Sequence, residues 1–270
     1  MGWRKRPGRR PGLGLTEEEV YGQLEKPPIR GAPFLWRYSR DQLPALLERA
    51  GILPRIRQLG YEALQISSLV EEGLHVLRVE AVGERAPLVD LRLSEESRVP
   101  TGPFVESLGP EPLALLVIQW VSLQHVRGRF APGRPPLPGQ SFPGLGLGRR
   151  LYRWLWRLAR ELGKDALSAY PMYYHNALYY SAGFSYLDPR QQGELAALAR
   201  DLAEIPLHVA SEAIRRGLLR EGRGNRPVDW SPGEMFAAVS RRLSAFMGSA
   251  EYRTEVERVA TGLSFGVEIS

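Results

Sequence analysis

The feature that most limits what this chain can fold into is the run at residues 113–123, LALLVIQWVSL, which is apolar at nearly every position. A strand solvated on one face alternates apolar with polar residues, so an unbroken run of strand length belongs at the centre of a sheet covered on both faces. Two stretches before it carry the strand period: 74–82, with Val76, Leu77 and Val79, and 88–93, where Leu88, Asp90 and Arg92 alternate with Val89, Leu91 and Leu93. Helical patterns frame these strands on both sides. The chain therefore reads as an α/β protein, its central sheet flanked by helices.

Helix signals place the remaining elements. Thr16 and Glu19 form a capping box ahead of Val20 and Leu24, and Pro27 and Pro28 end that helix. Residues 34–38 read as a strand, Ser39 and Gln42 as a second capping box whose helix stops near Gly51, and 53–70 as helical. The proline and glycine excess, 22 and 28 of 270 residues, concentrates at 126–143, which reads as a long surface loop. An amphipathic helix follows Gly148, with Leu151, Leu155, Leu158 and Leu162 on one face and Arg150, Arg153, Arg157 and Arg160 on another, and it stops at Gly163. A short strand at 166–170, a helix at 173–182 and a strand at 184–187 come next. Beyond Pro189 the character is helical: 194–204, 207–219, and a helix from a Ser231 to Glu234 capping box to about Met247. The organisation is thus a basic N-terminal extension with a short helix (1–33), a domain over 34–188, and a helical C-terminal region over 189–270.

No cysteine is present, which excludes disulfides, thiolate metal sites and cysteine nucleophiles. The basic opening segment lacks the apolar stretch of a signal peptide and no run reaches transmembrane length, so a cytoplasmic protein without a membrane partner is expected. Net charge is +6, and lysine stands only at Lys5, Lys26 and Lys164, so the positive charge is almost all arginine. Arginine binds phosphate and carboxylate bidentately, which fits an anionic partner; arginine preference also follows from genome base composition alone.

The glycine-rich segment Gly144-Leu-Gly-Leu-Gly148 is the first candidate for chemistry. Its glycines let backbone N–H groups converge on an anion, and the next helix adds the partial positive charge of its N-terminus. A tight turn explains the same residues. A Walker loop would need Gly-Lys-Ser/Thr, and a dinucleotide fingerprint would need glycine at 149, where Arg149 stands.

With the strand end Trp120-Val-Ser-Leu-Gln-His125, the segment Pro143-Gly-Leu-Gly-Leu-Gly-Arg-Arg-Leu-Tyr152, the strand at 166–170 and the passage Ala177-Leu-Tyr-Tyr-Ser-Ala-Gly-Phe184, the chain resembles the GCN5-related N-acetyltransferases, the GNAT superfamily. The resemblance implies a GNAT-like mixed central sheet flanked by helices, and acetyl-CoA or another acyl-CoA as co-substrate, without a metal. It implies cofactor contacts at Leu123, Gly144, Leu145, Gly146, Leu147, Gly148, Arg149 and Asn176, with the pyrophosphate held by backbone N–H groups of the loop. Tyr179, four residues before the Gly-Phe pair, would protonate the departing thiolate as a general acid. His125 at the strand end, or a water, would take the proton of an unknown amine acceptor.

A second reading stays open. Pro143 stands where the family usually has arginine or glutamine, the 126–143 insertion is long, and Asn176 is displaced from the family's usual position. The chain would then be a catalytically inactive GNAT-like module that binds a protein or nucleic acid through arginine-rich surfaces such as Arg215, Arg216, Arg220, Arg223 and Arg226. The amphipathic positions Leu195, Leu198 and Leu202 suit packing on the domain or a homodimer.

Overall fold

A computed structural model describes residues 29–101, 104–222 and 226–268. The Thr16 to Glu19 capping box and most of the N-terminal extension lie outside the described residues. The architecture is α/β: an eight-stranded mixed sheet, a small three-stranded sheet and eight α-helices among the described residues.

Strands β1 (Ile29–Arg30), β2 (Leu64–Glu71), β3 (Leu74–Ala81), β4 (Val89–Arg98) and β5 (Leu113–Leu123) form an antiparallel run. Across the sheet from β5 come β6 (Ala166–Ala169), then β10 (Met235–Ala238), then β7 (Ser185–Tyr186) at the edge. The β5–β6 pairing is parallel and every other described pairing in this sheet is antiparallel. The β2–β3 hairpin turns through Glu72 and Gly73, both at positive φ, the backbone that matches the twist of paired strands. As the unbroken apolar run requires, β5 is central and buried on both faces along its first half.

Alternation along the strands sorts two cores. On the first face Leu77, Leu91, Leu93, Leu116, Ile118 and Leu167 meet α1 (Leu43–Arg49), α2 (Ile52–Gln58) and α3 (Gly148–Glu161). On the second face Leu113, Leu115, Val117, Ala166 and Phe236 meet α7 (Arg241–Met247) and α8 (Ala250–Gly262). Helix α3 buries Leu151, Trp154, Leu155, Leu158 and Ala159 and leaves Arg149, Arg153, Arg157 and Arg160 exposed. Each fully buried leucine contributes roughly 1.5–3 kcal/mol. Gly163, at φ +67°, ends the helix as its sequence position predicts. Helix α4 (Tyr174–Tyr180) precedes β7; between β7 and β10 stand α5 (Pro189–Asp201), α6 (Leu207–Arg215), β8 (Leu219–Glu221) and β9 (Arg226–Pro227), the two strands joining the later β11 (Phe265–Val267) in the small sheet.

Four sequence expectations are corrected. The helix expected over 53–70 ends at Gln58, because Gly60 at φ +87° turns the chain and 64–71 pairs residue by residue with β3. Residues 34–38 form a tight turn rather than a strand: Phe34 and Tyr38 exchange backbone hydrogen bonds of 2.8 and 3.0 Å while Leu35 and Trp36 sit at positive φ. The helix expected over 207–219 ends at Arg215, where Gly217 at φ +74° leads into β8. The helix expected from Ser231 to Met247 is two elements, strand β10 and helix α7, the latter capped by Ser240, whose Oγ accepts from the Leu243 N–H at 3.3 Å. Met235 and Ala237 face one core and Phe236 the other, and this two-sided burial selects strand over helix. Residues 189–270 therefore are not a helical appendage, since β10 completes the sheet of the 34–188 domain.

Candidate functional site

The sheet opens where β6 stops. The parallel ladder ends at the pair Ile118 and Ala169, while β5 runs on to Leu123 without β6 beside it. At this point β5 also carries a bulge: Leu93 faces Ile118 but Arg92 faces Trp120, so Gln119 is an extra residue. After the bulge Val121 and Leu123 turn toward the first face and join its core margin. The result is a cleft of about 460 Å³ bounded by Ile118, Val121 and Leu123 of β5, the start of α3, and the end of α4 with Phe184.

The glycine loop returns to this cleft along the end of β5. The Leu145 N–H donates to the Leu123 carbonyl at 3.3 Å, and the His125 N–H donates to the Pro143 carbonyl at 2.7 Å. Leu145 and Leu147 bury their side chains, each 1 % exposed, while Gly144, Gly146 and Gly148 between them remain exposed. That alternation pins the loop to the core and presents backbone on the other side. Gly146, at φ +69°, holds a left-handed conformation that glycine adopts without cost.

The N-terminus of α3 is electrostatically unfinished. Its N-cap, Leu147, supplies no side-chain acceptor, and the first turn holds no acidic residue. The first N–H groups of a helix have no intrahelical acceptor and carry partial positive charge. Here Arg149, Arg150 and Arg153 crowd the same end, where cations are unfavourable. A fourth, Arg55 of α2, donates through Nε to the Leu145 carbonyl at 3.3 Å and lies 3.7 Å from where a β-carbon on Gly146 would stand. Helix N-termini of this kind are suited to anions.

Of the residues named from the sequence, Leu123, Gly148, Arg149 and Tyr179 line the cleft, and Gly144 to Leu147 form the loop that leads into it. Tyr179 is 59 % exposed at the rim, beside Tyr180, whose phenol is pushed up to about 12 by burial. Asn176 on α4 and His125 are not brought to the cleft. The His125 ring packs on Tyr61: its Nδ1 lies 2.8 Å from the Tyr61 hydroxyl and the two rings meet edge to face. The lining residues that the sequence did not mark as site residues include Tyr152, Arg153 and Phe184, and Arg55 stands beside the loop. For Arg55 the sequence carries no signal, because it is 90 residues away from its partner.

The 126–143 loop is anchored at both ends and contributes no side chain to the cleft lining. Arg127 pairs with Glu84 at 2.6 Å and its N–H donates to the Tyr61 hydroxyl at 3.0 Å; farther on, Gly139 lies against the Tyr173 ring. The arginine cluster near 215–226 is largely neutralised: Arg215 pairs with Glu212, Arg220 with Glu268 and Arg226 with Glu221, while Arg223 lies outside the described residues. Among the described residues no group of three or more His, Asp or Glu is arranged to hold a metal, and no helix is long and apolar enough to cross a membrane.

Helix α4 is tied to α6 by a buried pair: His175 Nδ1 lies 2.7 Å from Ser211 Oγ, with the two residues 3 % and 1 % exposed. Burial lowers the His175 imidazole to about 4, so it is neutral in the fold at pH 7. Because the unfolded chain binds this proton more readily, stability is full above the ordinary histidine pKa of about 6.5 and is lost as pH falls toward 4. The melting temperature is expected to drop as pH falls from about 7 to 4.5, and His175→Phe to flatten that drop; an equal drop in the variant would remove His175 as its source.

Comparison with protein-family models, with curated proteins and with solved structures finds no match to this chain, so the functional reading rests on the cleft itself.

Proposed function

We propose that the chain is an acyl-CoA-dependent N-acyltransferase of the GNAT type that moves an acyl group, acetyl in the simplest case, to an amine by direct attack. The observation that carries this reading is the arginine-ringed, uncapped N-terminus of α3 opening onto the cleft where β5 and β6 part. A mixed central sheet flanked by helices is compatible with this reading, with β10 lying between β6 and the edge strand β7.

In this reading the exposed backbone from Gly146 to Arg149 and the first free N–H groups of α3 hold a pyrophosphate, and Arg55, Arg149 and Arg153 balance its charge. The apolar wall of Ile118, Val121 and Leu123 takes the uncharged arm of the donor. Backbone N–H groups on the free edge of β5 beyond Ile118 are available to polarise a thioester carbonyl. Tyr179, at the rim, delivers its phenolic proton to the departing thiolate. A water takes the proton that the attacking amine loses, since His125 does not line the cleft and its Nδ1 is held by Tyr61. The alternative of a module that holds nucleic acid loses support from the ion pairs that neutralise the 215–226 arginines.

Calorimetric titration of the purified protein with acetyl-CoA is expected to give saturable binding, and absence of binding at about 1 mM ligand would overturn the reading. Tyr179→Phe is expected to lower the turnover number about 10- to 100-fold with the acetyl-CoA Kd held within about twofold. Unchanged turnover in that variant would remove the tyrosine from the chemistry.

A further inference from the structure

The opposite side of the same opening carries a second arrangement of polar groups. The bulge sends both Gln119 and Trp120 to the second face, since Gln119 bonds to Ser94 and Glu96 there and Trp120 is in register with Arg92. The next position along β6 is Tyr170, which follows the Ile118 and Ala169 pair, and Glu234 directly precedes the Met235 that pairs with Ala169. Tyr170, Glu234 and Gln119 therefore share one row at the point where the β5–β6 ladder ends.

These residues form a connected network. Arg98 Nη1 donates to Glu234 Oε2 at 2.6 Å and to the Tyr170 hydroxyl at 2.8 Å, and its other side closes an ion pair with Glu96. Tyr170 donates in turn to Glu234 Oε2 at 3.0 Å. Glu96 Oε1 accepts from Ser94 at 2.7 Å and from Gln119 at 2.8 Å. Two carboxylates thus share one guanidinium, which leaves one negative charge without a counterion in the network. The deficit is localised: Glu234 Oε1 is buried and has no hydrogen-bond partner. A buried carboxylate oxygen without a donor is costly, and a cationic N–H is its natural complement. Beside it two aromatic side chains stay open to solvent, Tyr170 at 39 % and Trp120 at 43 %, and such faces attract ammonium groups.

Resting on the acyltransferase reading, we infer that the Glu96, Arg98, Tyr170 and Glu234 network is the acceptor site, and that the acceptor is a cationic amine without a carboxylate. The β5–β6 ladder ends at the pair Ile118 and Ala169, so beyond it no backbone hydrogen bond of that ladder stands between the two faces. In this arrangement an ammonium held on the second face by Glu234 and Tyr170 loses one proton to water, and the neutral amine attacks a thioester lying along Ile118 and Val121 on the first. The C–S bond breaks, the thiolate takes the Tyr179 proton, and the second proton lost by the nitrogen restores Tyr179 through water. The insertion between β7 and β10 ends in Glu234 and so contributes to the choice of acceptor: just upstream, Trp230 donates to the Met172 carbonyl at 3.2 Å and fixes this stretch against the chain that follows Tyr170.

The test uses the full chain and the release of CoA thiol, with spermidine and phenethylamine as cationic probes and glutamate as the anionic control. Acylation of the cationic probes in preference to glutamate is expected. Glu234→Gln is expected to raise KM for the better cationic probe about 10- to 100-fold with the acetyl-CoA Kd unchanged, the size of a lost charged hydrogen bond. Tyr170→Phe keeps the Arg98 to Glu234 pair and so guards against simple misfolding; it is expected to raise the same KM about fivefold, within the range of a neutral hydrogen bond. Preference for glutamate, no acylation of either cation by a protein that binds acetyl-CoA, or an unchanged KM in folded Glu234→Gln would overturn the acceptor assignment and leave the donor site standing. Loss of acetyl-CoA binding in the parent protein would instead overturn both.

Discussion

Gly146→Trp is expected to weaken acetyl-CoA binding more than about 100-fold while the protein stays folded. Two independent effects act at this position. The backbone sits at φ +69°, where an L side chain costs roughly 1–2 kcal/mol, and a β-carbon there points at Arg55, 3.7 Å from its Nη2. An indole fills the space in front of the free N–H groups of α3 and displaces one of the arginines that ring it. Because Gly146 is exposed and its neighbours Leu145 and Leu147 keep their anchorage, the melting temperature should fall by only a few degrees, about 2–5 °C. A Gly146→Trp protein that still bound acetyl-CoA with the parent affinity would mean that the loop is a turn and that the phosphates lie elsewhere.

Gly193→Ala is expected to destabilise the fold by about 2–3 kcal/mol, a melting temperature lower by roughly 5–10 °C. In an exposed helix the same change stabilises by up to about 1 kcal/mol, so the sign itself is diagnostic. Gly193 lies in α5 where α8 crosses it. A β-carbon would stand 2.7 Å from Val259 Cβ and 2.8 Å from the Val256 carbonyl oxygen, so the backbone of α8 would have to move. It is poorly free to do so: the Tyr252 hydroxyl donates to the Tyr186 carbonyl at 2.6 Å, and Arg190 of α5 pairs with Glu255 at 3.2 Å. Differential scanning calorimetry decides the matter, and a raised melting temperature would show that the helices yield.

These two glycines differ in how they announced themselves. Gly146 was legible because it belongs to a local pattern, alternating glycine and leucine ahead of an amphipathic helix, and local pattern is what a sequence displays. Gly193 gave no sign, since the reason for it is the crossing of another helix more than 60 residues later. The same division runs through the site. Leu123, Gly148, Arg149 and Tyr179 came from contiguous segments and do line the cleft. His125 and Asn176 came from the same segments and do not: the histidine turns to Tyr61, and the asparagine's backbone N–H caps the turn at the Tyr173 carbonyl, 3.0 Å away. Arg55, Arg98 and Glu234 were invisible, because each acts through partners far along the chain.

What the sequence determined by itself was the α/β class, the central place of the 113–123 strand, the loop and helix after it and the stop at Gly163. All of these follow from periodicity and from the backbone freedom of glycine, which act over a few residues. What only the tertiary structure decided was that Met235 to Ala238 is a strand of the main sheet, that the sheet parts at the Gln119 bulge, and that two carboxylates compete there for one arginine. A four-residue segment has too little pattern to choose its own conformation, so its burial between two cores chooses for it. Charge balance, likewise, is a property of the groups that folding brings within hydrogen-bond reach, and no reading of neighbours in the chain can total it.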